Sequence, residues 1–195
     1  MTMTLDATEV RVGAGALSRI YRGDAPGVLP APTSPTSVLD PEYAELGYAS
    51  EDGLTETHDD STDTIVAWQG STVVRSALTE SVMQIAFTLI QTRGSVLETF
   101  HPGSTMAEPS PGIFQLEVKP RGVDLRTWVF DVFDGDIPIR IYLGNAEITE
   151  RGEVMYAAGE PIGYPITLTA YPDADGNLAV KWSNDAAWGE DLEVS

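Results

Sequence analysis

From Thr64 onward the chain is built of short runs with a two-residue period, and this alternation restricts the fold more than any other feature. Met83, Ile85, Phe87 and Leu89 alternate with Val82, Gln84, Ala86 and Thr88, and Phe114, Leu116 and Val118 alternate with Gln115, Glu117 and Lys119. Trp128, Phe130 and Val132 share one face, Ile137, Ile139, Ile141 and Leu143 another, and Ile166, Leu168 and Ala170 repeat the pattern. Successive side chains of a strand point to opposite faces, so each run has one face to bury. Asp134-Gly135-Asp136 has the chemistry of a tight hairpin, and Asp173–Asn177 turns the chain toward Leu178, Val180 and Trp182. Ile65–Trp68 and Thr72–Leu78 form a further pair joined at Gln69-Gly70. Helical spacing interrupts the series within Gln91–His101, where Val96, Leu97 and Phe100 line one side. Ser95 with Glu98 offers a capping box, and Thr92 an earlier start at the expense of an interior Gly94. The expected fold is mainly β: two packed antiparallel sheets, as sandwich or barrel, with one flanking α-helix.

The first third reads differently. Pro26, Pro30, Pro32 and Pro35 withhold backbone donors and extend the residues before them, so residues 24–39 suit neither helix nor central strand. Asp40 as a cap, Pro41 at the first helical position and Gly47 as a left-handed stop predict a short helix carrying Tyr43, Ala44 and Leu46. Asp52-Gly53 predicts a tight turn. Little between Asp24 and Asp63 can bury itself unaided, so this stretch is expected to be a long mobile loop. One domain over residues 1–195 follows: an N-terminal arm and first strand (1–22), a Pro-rich and acidic loop (24–63), a β core (64–183) with its helix near 91–101, and a C-terminal tail (184–195).

The 195 residues carry 30 acidic and 11 basic side chains, a net charge of -19. A chain of this size buries roughly 70% of the surface it would expose unfolded, so it needs no covalent staple. The balance is -9 over residues 1–63, -2 over 64–143 and -8 over 144–195, so the alternating core is nearly neutral and the flanks hold the field. Asp40–Asp63 contains nine acids and no Lys or Arg. Gripping nucleic-acid phosphates needs clustered cations, which this composition lacks. Cysteine is absent, which excludes disulfides, thiolate metal sites and cysteine nucleophiles. The first residues lack the basic patch and apolar run of a signal peptide, and no run reaches the roughly 18 apolar residues of a membrane span.

Catalytic and metal-binding patterns are weak. His58 beside Asp59 and Asp60 supplies adjacent side chains that diverge in an extended chain, which suits an acidic loop better than a metal site. His101, before Pro102, is expected to end the helix, where a cation is mildly favoured. Asp173-Ala174-Asp175-Gly176-Asn177 places its glycine at the fourth position and Asn184 at the twelfth, against the sixth and twelfth of a calcium loop, so a hairpin is the better reading. Gly13-Ala14-Gly15 lacks the Lys-Ser/Thr of a phosphate loop, and no Gly-x-Ser-x-Gly or His-Glu-x-x-His is present. No catalytic residue, cofactor or metal is expected. A monomeric carbohydrate-binding sandwich, calcium-assisted through Asp173 and Asp175, is the alternative; a glycosidase using paired carboxylates is a third reading.

The order of several motifs carries a resemblance. Pro26–Gly53, with Leu46-Gly47-Tyr48 and Ser50-Glu51-Asp52-Gly53, is followed by Ala67-Trp68-Gln69-Gly70 with Val74-Arg75. Then come Thr79-Glu80 opening a strand, and Leu89-Ile90-Gln91-Thr92 leading to Val96-Leu97-Glu98. Over most of residues 20–183 this series resembles the major tail proteins, or tail tube proteins, of long-tailed bacteriophages, particularly those of actinobacterial hosts. The resemblance implies a non-enzymatic virion protein, made in the bacterial cytoplasm, that forms six-fold rings stacked into a hollow tube. It implies contacts with copies of itself and with tape measure, tail terminator and distal tail proteins, and a non-adhesive passage for DNA, with no membrane contact. The short acidic C-terminus in place of an appended domain implies a smooth tube. Candidate assembly residues are Tyr43, Leu46, Tyr48, Asp52 and Leu54 in the acidic segment, and Trp188 in the tail.

Overall fold

The computed structural model describes residues 11–66, 68, 70, 71 and 73–189. Along the described chain run β1 (Ala14–Arg22), β2 (Ala44–Glu45), β3 (Ala49–Val66), β4 (Val73–Leu89), α1 (Gly94–Phe100), β5 (Met106–Ser110) and β6 (Ile113–Leu116). There follow β7 (Arg126–Asp134), β8 (Ile137–Arg151), β9 (Tyr164–Ala170), β10 (Val180–Ser183) and a 3-10 turn at Ala186–Gly189. The main sheet has the order β2-β1-β7-β8-β9-β4-β3, with β10 also on β8, while β5 and β6 form a separate hairpin. The fold is mainly β, as the alternation predicts.

β8 turns this path into two layers. Its first half, Ile139–Tyr142, lies between β7 and β10, whereas Ala146, Glu147 and Ile148 pair with β9. The register against β7 shifts between Arg126↔Ala146 and Trp128↔Leu143, so Gly144 and Asn145 form a bulge that bends the strand. A side chain at Gly144 would crowd Asp173, with Cβ atoms 3.2 Å apart, so the bend is made where glycine permits it. The halves close on each other through Phe87 of β4, whose ring meets Trp128 and Phe130 of β7 edge-on at 6.1 and 5.6 Å. Met83, Ile85 and Leu89, Leu143, and Ile166 and Leu168 complete this core. Full burial of one such side chain contributes about 1.5–3 kcal/mol. The Asp134–Ile137 hairpin has two connecting residues, with Gly135 at φ 57°, as its sequence requires.

The helix forms where expected and packs Val96 and Phe100 into the core, but neither predicted cap is used. Arg93 is the N-cap, without a side-chain bond, and Glu98 instead accepts the backbone N–H of Met106 at 2.7 Å. His101 does end the helix, yet the cation there is Arg151, which donates to the Phe100 carbonyl at 3.1 Å and lies over its ring. Burial and then the Arg151 charge both push the His101 pKa down, so this imidazole resists becoming the cation.

Three expectations for the first third are corrected. Residues 40–47 form no helix. Asp40 accepts the Glu42 N–H with its side chain and the Tyr43 N–H with its carbonyl, closing a single turn, and Leu46 then donates to Ile20 of β1. Residues 49–63 are not a loop but most of the 18-residue β3, and Gly53, at φ 68°, sits in the register shift between Ala49 and Leu54 as a bulge rather than a turn. Residues 24–43 are anchored rather than loose. They cover the outer face of the β1–β7–β8 layer, burying Leu29 and Tyr43 against Val129 and Tyr142.

Candidate assembly interface

The clamp on residues 24–43 is a buried ion pair. Asp131 of β7 and Arg140 of β8 are cross-strand partners on the outer face, with side chains 8% and 7% exposed. Arg140 holds both carboxylate oxygens, at 2.6 and 2.8 Å, and donates to the carbonyls of Ser37 at 2.6 Å and Ser34 at 3.3 Å. The Tyr43 hydroxyl donates to the Pro30 carbonyl at 3.3 Å. Its sequence signal is faint but real: Arg140 is the one charge in Ile137–Leu143, placed where alternation points away from the core.

Two long strand edges remain open among the described residues. β3 pairs only with β4, leaving its other edge bare over eighteen residues. β1 has β2 beside it only at Tyr21 and Arg22, with the Leu46–Ile20 hydrogen bond just before. Between these edges runs a cleft of about 800 Å³, with Ile20 and Ile141 on one side and Leu54 and Ile85 on the other. The edges differ in charge. β3 carries six carboxylates and no Lys or Arg, whereas β1 carries Arg19 and Arg22, with Arg19 paired to Glu45 of β2 at 3.2 Å.

Beyond the Asp59↔Val82 pair, β3 and β4 leave the body as an arm, and residues 59–66 are exposed throughout. Near its tip Ile65, Val66 and Trp68 are 55%, 50% and 96% exposed. The arm is tied down at its base. Glu56 receives Lys181 of β10 at 2.7 Å on each oxygen and contacts His58 at 2.7 Å. Burial raises the Glu56 carboxyl pKa, but the Lys181 and His58 bonds outweigh it and the net shift is downward. A depressed folded pKa means this tie stabilises fully above the ordinary carboxylate value and is lost as pH falls through the folded one. Both groups are partly exposed, so Lys181→Met should cost about 0.2–1 kcal/mol at pH 7, and the difference in urea midpoint between the two proteins should shrink as pH falls through the folded carboxyl pKa.

Of the six sequence-derived candidates, Tyr43 and Leu46 are corrected. Both are buried inside the subunit, Leu46 completely, and offer no surface to a neighbour. Leu54 is half-buried on the cleft wall, while Tyr48 and Asp52 line the rim of the same cleft and are exposed. Trp188 lies in the 3-10 turn and is 49% exposed. That turn is joined to the start of the described chain by Arg11, which holds Asp185 at 2.5 and 2.6 Å. Residues 1–10 and 190–195, in the expected N-terminal arm and tail, lie outside the described residues.

Asp173 does not offer a calcium site. Its Oδ1 accepts the backbone N–H groups of Asp175 and Asn177, closing a turn with Gly176, and β10 then pairs with β8 rather than forming a hairpin with β9. Among the described residues no three His, Asp or Glu side chains converge as a metal site would require, and no helix is long and apolar enough to cross a membrane.

A β-sandwich with a long unpaired β3 edge and an apolar-tipped arm suits a subunit to which further chains can add. The family comparison agrees. The chain belongs to the phage tail tube proteins, whose family model matches residues 3–191. It is therefore a structural protein of a phage tail, a family that assembles with copies of itself and with other tail proteins. A search of curated proteins gave no match.

Proposed function

We propose that this chain closes into hexameric rings that stack into the tube of a long phage tail, through which the genome is ejected. The observation that carries the reading is the bare edge of β3, with β1 only partly covered on the other layer. An isolated protein does not leave an eighteen-residue edge strand unpaired without inviting another chain to add to it. The two edges are different surfaces, so β3 of one copy meets β1 of the next in a head-to-tail contact. Such a contact generates a ring when its rotation closes. Six-fold closure rests on the family resemblance. Leu54, Tyr48 and Asp52 lie along this contact, and Trp188 with the Arg11–Asp185 pair lies near the β1 end of it.

The acidic balance gives the bore its purpose. Duplex DNA carries one negative charge per roughly 1.7 Å, and cations along a channel would hold it at every step. Carboxylates repel it instead, within a screening length of about 8 Å. The subunit is made in the bacterial cytoplasm and meets tape measure, tail terminator and distal tail proteins as the tail grows. Negative-stain micrographs of the concentrated protein are expected to show rings and tubes, with sedimentation showing large species that grow with concentration. A monodisperse monomer at every concentration would overturn the proposal.

A further inference from the structure

We infer that the carboxylates on the free half of β3, Asp59, Asp60 and Asp63, with Glu56 at its base, keep the bare edge from pairing with β3 of a second copy and so reserve it for a different edge. The inference concerns the unassembled subunit and stands whether or not rings close.

Apart from its charge, this edge is well suited to pair with itself. It is eighteen residues long and contains no proline. From Leu54 onward it carries Thr55, Thr57, Thr62, Thr64, Ile65 and Val66, the β-branched side chains that favour strands. A long, bare edge of that composition is a template for its own copies. The three aspartates do nothing to hold the arm together. None makes a hydrogen bond or ion pair with another described residue, and their cross-strand partners on β4, Val82, Ser81 and Ala77, are uncharged. Only Glu56 of the four carboxylates is paired, to Lys181 and His58.

Their spacing opposes the registers that self-pairing would use. Two copies of one edge meet antiparallel about a twofold axis, which repeats every contact. Every β3 residue from Leu54 to Val66 has its own partner on β4, so this stretch alternates without a bulge of its own. The faces of two copies therefore match when the axis passes through a residue. An axis at His58 sets Glu56 against Asp60 twice, and one at Ser61 sets Asp59 against Asp63 twice. An axis at Asp59 or Asp60 sets that aspartate against its own copy. In-register parallel pairing is worse, since all six β3 carboxylates would face their copies. Like charges directly opposite destabilise a strand pair. β1 carries no acid of its own, and its neighbour Glu45 is already paired to Arg19, so a β3–β1 contact escapes this repetition.

Two variants of the full chain test this by sedimentation at dilutions where the parent is a monomer. One combines Asp59→Asn, Asp60→Asn and Asp63→Asn. The other is Asp59→Lys with Asp63 kept, so that an axis at Ser61 sets a cation against a carboxylate twice. Both alter exposed side chains without partners and should melt with the parent. Each is expected to dimerise at a concentration at least about tenfold lower than the parent does. The chain has no cysteine, so Thr57→Cys or Ser61→Cys, introduced singly into each protein, reports the contact through bismaleimidohexane. Crosslinked dimers are expected from at least one site in the variants and from neither in the parent. A head-to-tail contact keeps these residues a subunit's width from their copies, so tube assembly does not give this product. Variants that stay monomeric wherever the parent does overturn the inference. Dimers that neither thiol crosslinks, or a parent that crosslinks as readily as the variants, overturn it equally.

Discussion

Arg140→Ala should lower the unfolding free energy by about 3–5 kcal/mol, the cost of stranding one member of a buried ion pair. The loss has two sources on the same side chain. Asp131, itself 8% exposed, would keep its carboxylate in a dry site without a counter-charge, and the Ser34 and Ser37 carbonyls would lose their donor. For a domain with a typical stability of about 5–15 kcal/mol this is a large share. The urea midpoint should fall at unchanged slope, and limited proteolysis should cleave within residues 30–39 faster than in the parent. Arg140→Lys should recover only part of the loss, because an ammonium cannot reproduce the fork that grips both Asp131 oxygens. A loss below about 1 kcal/mol would mean that apolar packing of Leu29 and Tyr43 alone holds the segment.

The same side chain marks the limit of what the sequence discloses. The layers, the helix and the Asp134–Ile137 hairpin were legible because each signal is local: two-residue alternation, three- and four-residue spacing, a Gly between aspartates. Residues 24–43 have no local means of burial, and what anchors them lies 103 residues away at Arg140. At Asp40–Gly47 the capping signals are genuine and are satisfied, but by one turn, because the next donor goes to β1. Leu46 and Tyr43 looked available only because a helix would have presented them; flanking the two-residue β2 alongside β1, they are core. β3 hid for a different reason. An arm with both faces in solvent has no apolar side, so Glu56–Asp63 alternates nothing and reads as a loop although its backbone is fully paired to β4. Edges and arms that await a partner chain are thus the elements that single-chain hydropathy describes worst.

Excising that arm separates folding from assembly. Replacing residues 60–81 by Asn-Gly joins Asp59 to Val82, which already face each other across the antiparallel pair, and a two-residue turn of this type suits the strand twist. Met83–Leu89 keep their pairing to β9, the Glu56–Lys181 tie remains, and none of the core residues is removed. The shortened protein should therefore melt within a few degrees of the parent. It should also sediment as a monomer and form no tubes, because it has lost the outer seven residues of its bare edge, Ile65 and Val66 among them, together with Trp68. Removing residues 40–63 instead should fail at an earlier stage, since Leu46 and Leu54 leave the core with the segment and β4 loses its partner. The pair of deletions makes the assignment of roles decidable. If the armless protein still polymerised, the body edges of β1 and β3 alone would suffice for assembly, and the apolar tip would have to serve a contact outside the tube wall.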